Sequence, residues 1–275
     1  MPGGAIDIVG GTNMTAQQTL TDMAAGLASG AITVVDLSAP LGPETPVLYL
    51  PPEIGVNTPN VEMHEISWYN EKGPYWAWRW LKLGEHTGTH FDAPIHWISG
   101  KDHADGSTDT IPPRNFVGPV NVIDCSKQAA ENPDFLLTAE GVKAWEAEHG
   151  AIERDSWVLM RTDWHHRNKS AETFLNADEN GPHSPGPSVD CMEYLVSKGI
   201  MGWGTECVGT DAGAAAGMNP PFPAHFLMHQ ANRYGLASLA HLDKLPPKGA
   251  ILVAAPLKFV NGTGSPVRVL AFVPA

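Results

Sequence analysis

The stretch His86–His96, "HTGTHFDAPIH", gathers three histidines and an aspartate within eleven positions, with Gly88 and Pro94 between them. His86 and His90 are four apart, the spacing that puts two imidazoles on one face of a helix. A helix is opposed here by Gly88, two β-branched threonines and Pro94. In an extended segment His90 and Asp92 project to the same side, and a positive φ at Gly88 would fold His86 back towards them. Two imidazoles and a carboxylate form a three-ligand set that leaves positions open on a metal ion. His96, set off by Pro94, suits proton transfer near neutral pH, with a fourth ligand as its alternative role. The pattern therefore reads as a catalytic metal site, carried by a strand and the turn leading into it.

Outward from this point, "YWAWRWLKL" at 75–83 alternates as a strand, with Trp76, Trp78 and Trp80 on one side. Upstream lie a proline-rich loop at 39–59, a strand at 31–38, and a helix at 15–29 capped by Thr15, ended by Gly30 and carrying Leu20, Met23, Ala24 and Leu27 on one face. Downstream, 119–126, 157–163 and 200–206 read as strands. Residues 138–150 and 188–199 read as helices opening at Thr or Ser and closing at Gly. A short helix is expected in "PAHFLMHQANRYG". The last segment, from 250, reads as two strands around the Asn261–Gly262 turn. Strands and helices mix without regular alternation, which predicts one α/β domain with a mixed, largely antiparallel sheet. An N-terminal helical arm is expected over 1–30, ahead of a main domain at 31–275.

The chain of 275 residues is 43% hydrophobic and 17% charged, the composition of a globular protein with a sizeable core. Its formal charge of −13 disfavours nucleic acid and anionic membrane surfaces and favours a cation. Apolar runs such as 251–257 are too short to span a bilayer, and the N-terminus lacks the pattern of a signal peptide. The three cysteines have no C-x-x-C spacing and read as reduced, buried thiols of a cytoplasmic protein.

The motif His-x-Gly-Thr-His-x-Asp-x-Pro-x-His resembles the signature of the metal-dependent cyclase-like hydrolases, a family that includes kynurenine formamidases and isatin hydrolases. "DLSAPLGPETP" (36–46), "LDKLP" (242–246) and "GSPVRVLAF" (264–272) extend the likeness over about residues 31–273. The resemblance implies a swivelling β/α fold, a homodimer or dimer-based oligomer in which one subunit's N-terminal segment helps close its neighbour's site, and hydrolysis of an amide or lactone by metal-activated water. Residue by residue it implies His86, His90 and Asp92 as ligands and His96 as the catalytic histidine.

Formamidase members hold a second zinc with a histidine and a glutamate about twelve residues later. Here the histidine is His225, but the glutamate falls on Ala237, and no acidic residue occurs between His225 and Asp243. His225 and Ser238 instead resemble the pair that handles water and proton beside one manganese in isatin hydrolases. The resulting expectation is one divalent ion per chain, manganese with zinc as alternative, and ring opening of isatin to isatinate. The alternatives are formylkynurenine or another cyclic imide or lactone as substrate, or a silent metal-dependent binding protein. A small aromatic cyclic amide needs an apolar slot, for which Tyr69, Trp76, Trp78, Trp80 and Trp97 are candidates. His165, His166, His183, Glu206 and Asp211 follow strand ends or sit in loops that could rim the pocket.

Overall fold

A computed structural model describes residues 14–49 and 55–275. Residues 1–13 of the expected N-terminal arm, and 50–54 of the proline-rich loop, lie outside the described residues. A nine-stranded sheet runs in the order Ile32–Asp36, Leu270–Pro274, Ala250–Val253, Val117–Asp124, Trp157–Arg161, Gly202–Thr205, Tyr234–Ala237, His90–Asp92, Gly264–Pro266. Its middle is parallel, from Val117–Asp124 through Tyr234–Ala237. Both flanks are antiparallel, so the sheet is mixed and largely antiparallel as expected. It curls until its ends approach: Leu37, just past the first strand, donates to Val269 O and accepts from Ala240 N beyond the seventh.

The parallel strands are apolar on both faces because both are covered. In "WVLM" at 157–160, Trp157 and Leu159 face an inner core with Phe91, Tyr234, Leu236 and Leu252. Val158 and Met160 alternate outward, joining Trp203 beneath the helices Ala139–His149, Val189–Lys198 and Pro223–Gln230 through Val142, Trp145, Met192, Leu195 and Met228. The caps read from sequence are in place. Thr138 and Ser188 accept from the amides of Gly141 and Cys191, while Gly150 and Gly199 end the helices.

The helix Ala16–Ser29 forms between Thr15 and Gly30, yet its apolar residues Leu20 and Leu27 remain exposed. Strand Gly73–Lys82 pairs antiparallel with Glu62–Asn70, a strand the sequence reading did not identify. This hairpin packs chiefly on itself. Along it Trp68, Trp76, Trp78 and Trp80 are each about half exposed.

The C-terminal segment differs from a two-strand hairpin. A turn does form at Asn261, whose φ is 55°, but three strands are built from this stretch. Ala250–Val253 pairs with Leu270–Pro274, while Gly264–Pro266 pairs with His90–Asp92. Pro256 and Pro266 flank the turn and have no N–H to donate, so the two arms adjoining it make no continuous ladder.

Candidate metal centre

His90–Asp92 lies between Tyr234–Ala237 and Gly264–Pro266, hydrogen-bonded to both. Strand alternation aims His90 and Asp92 to one side, with Phe91 into the core between them. Gly88 takes φ +63°, the left-handed turn that brings His86 back over the strand. Gly264 lets the neighbouring strand approach closely, since a Cβ there would sit 2.5 Å from His86 Cε1 and 2.3 Å from Phe91 O. The result brings ligand atoms of His86, His90 and Asp92 within 4.8 Å of one another.

The hydrogen bonds fix the tautomers. Thr263 has one hydroxyl proton and gives it to Glu85 Oε2 at 2.5 Å, so at 2.9 Å His86 Nε2 is the donor to Thr263 Oγ1. His90 Nδ1–H donates to Gly88 O at 2.8 Å. The remaining nitrogens, His86 Nδ1 and His90 Nε2, carry lone pairs and face Asp92 Oδ1 at 2.7 and 3.3 Å. Two lone pairs against a carboxylate oxygen repel unless a proton or a metal cation lies among them. Asp92 Oδ2 is also buried without a hydrogen-bond partner, an arrangement that costs stability unless an ion completes it. The donor set fits a divalent transition ion with N and O ligands.

Burial would raise the Asp92 carboxyl, but His90 and His86 overcome this and hold it well below the usual carboxylate range. Burial would conversely depress His90, and Asp92 outweighs it, raising the imidazole above 6.5. The cluster thus draws positive charge inward, as a proton when no metal is bound.

His96 stacks on His86 with ring centroids 3.7 Å apart and stands 5.5 Å from His225. Burial drives its pKa well below 6.5, helped by the neighbouring His86 and His225, so the ring is neutral at pH 7. Trp97 lies 4.6 Å from His225 and 5.6 Å from Phe222. Trp76, Trp78 and Trp80 are on the exposed hairpin, where Trp80 stacks on His64 at 3.9 Å.

His225 and Ser238, read as a pair, have different partners in the structure. His225 Nδ1 meets Asp211 Oδ2 at 2.5 Å, and its Nε2 lies 3.9 Å from Asp92 Oδ2. Burial works against protonation of His225, but the Asp211 carboxylate prevails and raises its pKa. Ser238 is buried at φ 53°. Its Oγ donates to Cys207 O at 3.4 Å and its carbonyl accepts from Thr89 Oγ1 at 2.6 Å, one residue from His90.

Asp211 has both oxygens engaged, Oδ1 by Ala224 N at 2.6 Å and Oδ2 by His225. It orients a histidine and caps a helix, a role the sequence did not reveal because no periodicity links residues 211 and 225. Thr263 and Glu85, which set the His86 tautomer, were also missed. Glu206 is fully buried and accepts from the amides of Thr162 and Asp163 and from His165 Nδ1. His183 is held by Asp134 and Asp178. Ala237, where formamidases would need a glutamate, is fully buried.

The Cyclase family model matches residues 35–212. An isatin hydrolase of Roseibium aggregatum is 62% identical over 261 residues, covering 95% of this chain and 99% of that protein. A kynurenine formamidase of Salinibacter ruber is 31% identical over 191 residues, covering 68% of this chain and 76% of that one. The crystal structure of an isatin hydrolase bound to the product analogue thioisatinate superposes with a TM-score of 0.95 at 62% identity, covering 95% of this chain and all of that one. By these matches the chain belongs to the cyclase family of metal-dependent hydrolases.

Proposed function

We propose that the protein hydrolyses the cyclic amide of isatin to isatinate, using one catalytic divalent cation per chain held by His86, His90 and Asp92. The observation that carries this reading is the convergence of two imidazole lone pairs and a buried carboxylate beside a neutral histidine. The likeness to isatin hydrolases supports the substrate. When bound, the cation supplies Lewis-acid polarisation of the amide carbonyl and makes water more acidic.

The chain's own groups manage the protons. Neutral His96 accepts a proton from the attacking water as the C–O bond forms, and returns one to the ring nitrogen as the C–N bond breaks. The products are a carboxylate and an aromatic amine, and one proton is released. His225, oriented by Asp211, offers Nε2 on the Asp92 side of the site and can pass that proton outward. Ser238, buried just past the strand Tyr234–Ala237 that pairs with His90–Asp92, is assigned to ordering water on this route. Trp97 supplies a flat apolar wall against which an aromatic ring can stack.

A single ion fits the downstream half of the site. Both oxygens of Asp211 are committed to the protein, and buried Ala237 offers no ligand. Manganese is our assignment, with zinc as the alternative. The exposed tryptophans of the hairpin and the exposed apolar residues of the helix Ala16–Ser29 support a homodimer. In it, Trp76, Trp78 and Trp80 would wall the partner's pocket. The three buried free cysteines suit a cytoplasmic protein, and among the described residues no helix is long and apolar enough to cross a membrane.

Incubation of purified, manganese-loaded protein with isatin and, separately, with N-formylkynurenine, followed by absorbance, tests the assignment. Turnover of isatin at the higher kcat/KM is expected. Preference for the formyl substrate would transfer the protein to the formamidases, and no turnover of either would leave a binding protein.

A further inference from the structure

We propose that a second divalent transition-metal ion, zinc by preference, binds between His165, His241 and Asp243, none of which belongs to the main centre. Ligand atoms of these three residues lie within 4.8 Å of one another. A tetrahedral zinc with bonds of about 2.0–2.1 Å requires ligand atoms roughly 3.4 Å apart, so modest side-chain rotation closes the site. The donor set, two imidazoles and a carboxylate, has the chemistry of the main centre, yet shares no residue with it.

Placement gives an independent reason. Strands Trp157–Arg161, Gly202–Thr205 and Tyr234–Ala237 are mutually parallel neighbours. His165, Glu206 and His241 all follow their C-terminal ends, the edge at which open α/β sheets bind ligands.

The third reason is the support behind His165. Glu206 is fully buried, and its Oε1 accepts from His165 Nδ1 at 2.7 Å. A carboxylate only accepts here, so the proton is on Nδ1 and the lone pair on Nε2. This is the carboxylate–histidine arrangement that orients metal-binding imidazoles and raises their basicity. The other oxygen of Glu206 is held by two backbone amides at 2.8 and 2.6 Å, which makes the support rigid. His165 and His241 rings meet edge to face, with centroids 5.1 Å apart. An overlapping cluster, Asp163, His165 and Glu206, is a poorer candidate because Arg161 grips both oxygens of Asp163 at 2.8 and 3.1 Å. An ion at His165, His241 and Asp243 would tie the loop after Trp157–Arg161 to the loop after Tyr234–Ala237.

The test is equilibrium dialysis against buffered micromolar free Zn²⁺, with elemental analysis, on the full chain and on His241→Ala, Asp243→Asn and His90→Ala. Wild type should hold two equivalents and each variant one. Asp243 is exposed, so its substitution keeps the fold even where His241→Ala disturbs it. Zn²⁺ should raise the Tm of His90→Ala but add nothing further to Asp243→Asn once its remaining site is full. Wild type holding one equivalent, or Asp243→Asn holding two, would overturn the proposal. Two equivalents in His90→Ala would instead count against the main centre, leaving the second site to stand on the other variants.

Discussion

Replacing His96 by alanine separates chemistry from metal binding. The side chain stacks on His86 at 3.7 Å and makes no hydrogen bond to His86, His90 or Asp92. The three-ligand set, fixed by Gly88, Thr263, Glu85 and two strand ladders, is therefore complete without it. We expect His96→Ala to retain the tightly held ion of the main centre by elemental analysis after dialysis. Loss of a positioned acid–base typically costs about 10²–10⁴-fold in rate, or roughly 3–5 kcal/mol in barrier. The assay is the fall in isatin absorbance under saturating substrate. The pH profile supplies the stronger check. Burial lowers the pKa of His96 well below 6.5, and a cation held by His86, His90 and Asp92 would push it in the same direction. The base form is the neutral ring, so wild-type activity should hold through pH 7 and fall only at pH below 6.5, while the variant loses this acid limb. Parallel loss of metal and activity would make His96 a ligand, and an acid limb above 6.5 would refute the proton assignment.

Other substitutions probe the remaining roles. His90→Ala and Asp92→Ala should lose both activity and the tightly held ion of the main centre, as measured by elemental analysis after dialysis. Asp211→Asn removes a charge-assisted hydrogen bond worth about 1.5–3 kcal/mol, which predicts a fall in kcat of roughly 10–100-fold at unchanged main-site metal content. An unaltered rate would deny His225 its oriented role. Ser238→Ala should lower turnover and leave metal stoichiometry as it was; full activity would remove Ser238 from the proton route. Burial and the charge of His225 press His229 down to about 4. The unfolded chain protonates this residue near 6.5, so its contribution is level above 6.5 and is lost as pH falls towards 4. At about 1.4 kcal/mol per pH unit this amounts to on the order of 3 kcal/mol. Urea midpoints measured across that window should slope less in His229→Gln, and identical slopes would contradict the buried, neutral state.

The clustering of His86, His90 and Asp92 was legible because they lie within seven residues and strand alternation with one glycine suffices to assemble them. Thr138, Gly150, Ser188 and Gly199 were legible for a similar reason, since caps act within a single turn. What escaped the sequence depends on distant pairing. Asp211 reaches His225 only because the helix Pro223–Gln230 begins against it, and Thr263 meets His86 across 177 positions. The Asn261–Gly262 turn carried a correct local signal, but prolines on either side redirected the strand that follows. Alternation placed Trp76, Trp78 and Trp80 on a strand face, as found; a single sequence holds no information on whether that face meets this chain or another copy.

The strand His90–Asp92 is three residues long and interior to the sheet, held by ladders on both sides. Its candidate ligands His90 and Asp92 are thus positioned by backbone bonds that exist before any ion arrives. Metal-free protein should accordingly keep its native cooperativity, and chelation should act as a reversible swap rather than as denaturation. Such a cradle makes the ion an interchangeable part: cobalt, zinc or manganese could be loaded in turn into one unchanged scaffold, and their reactivities compared without refolding the chain.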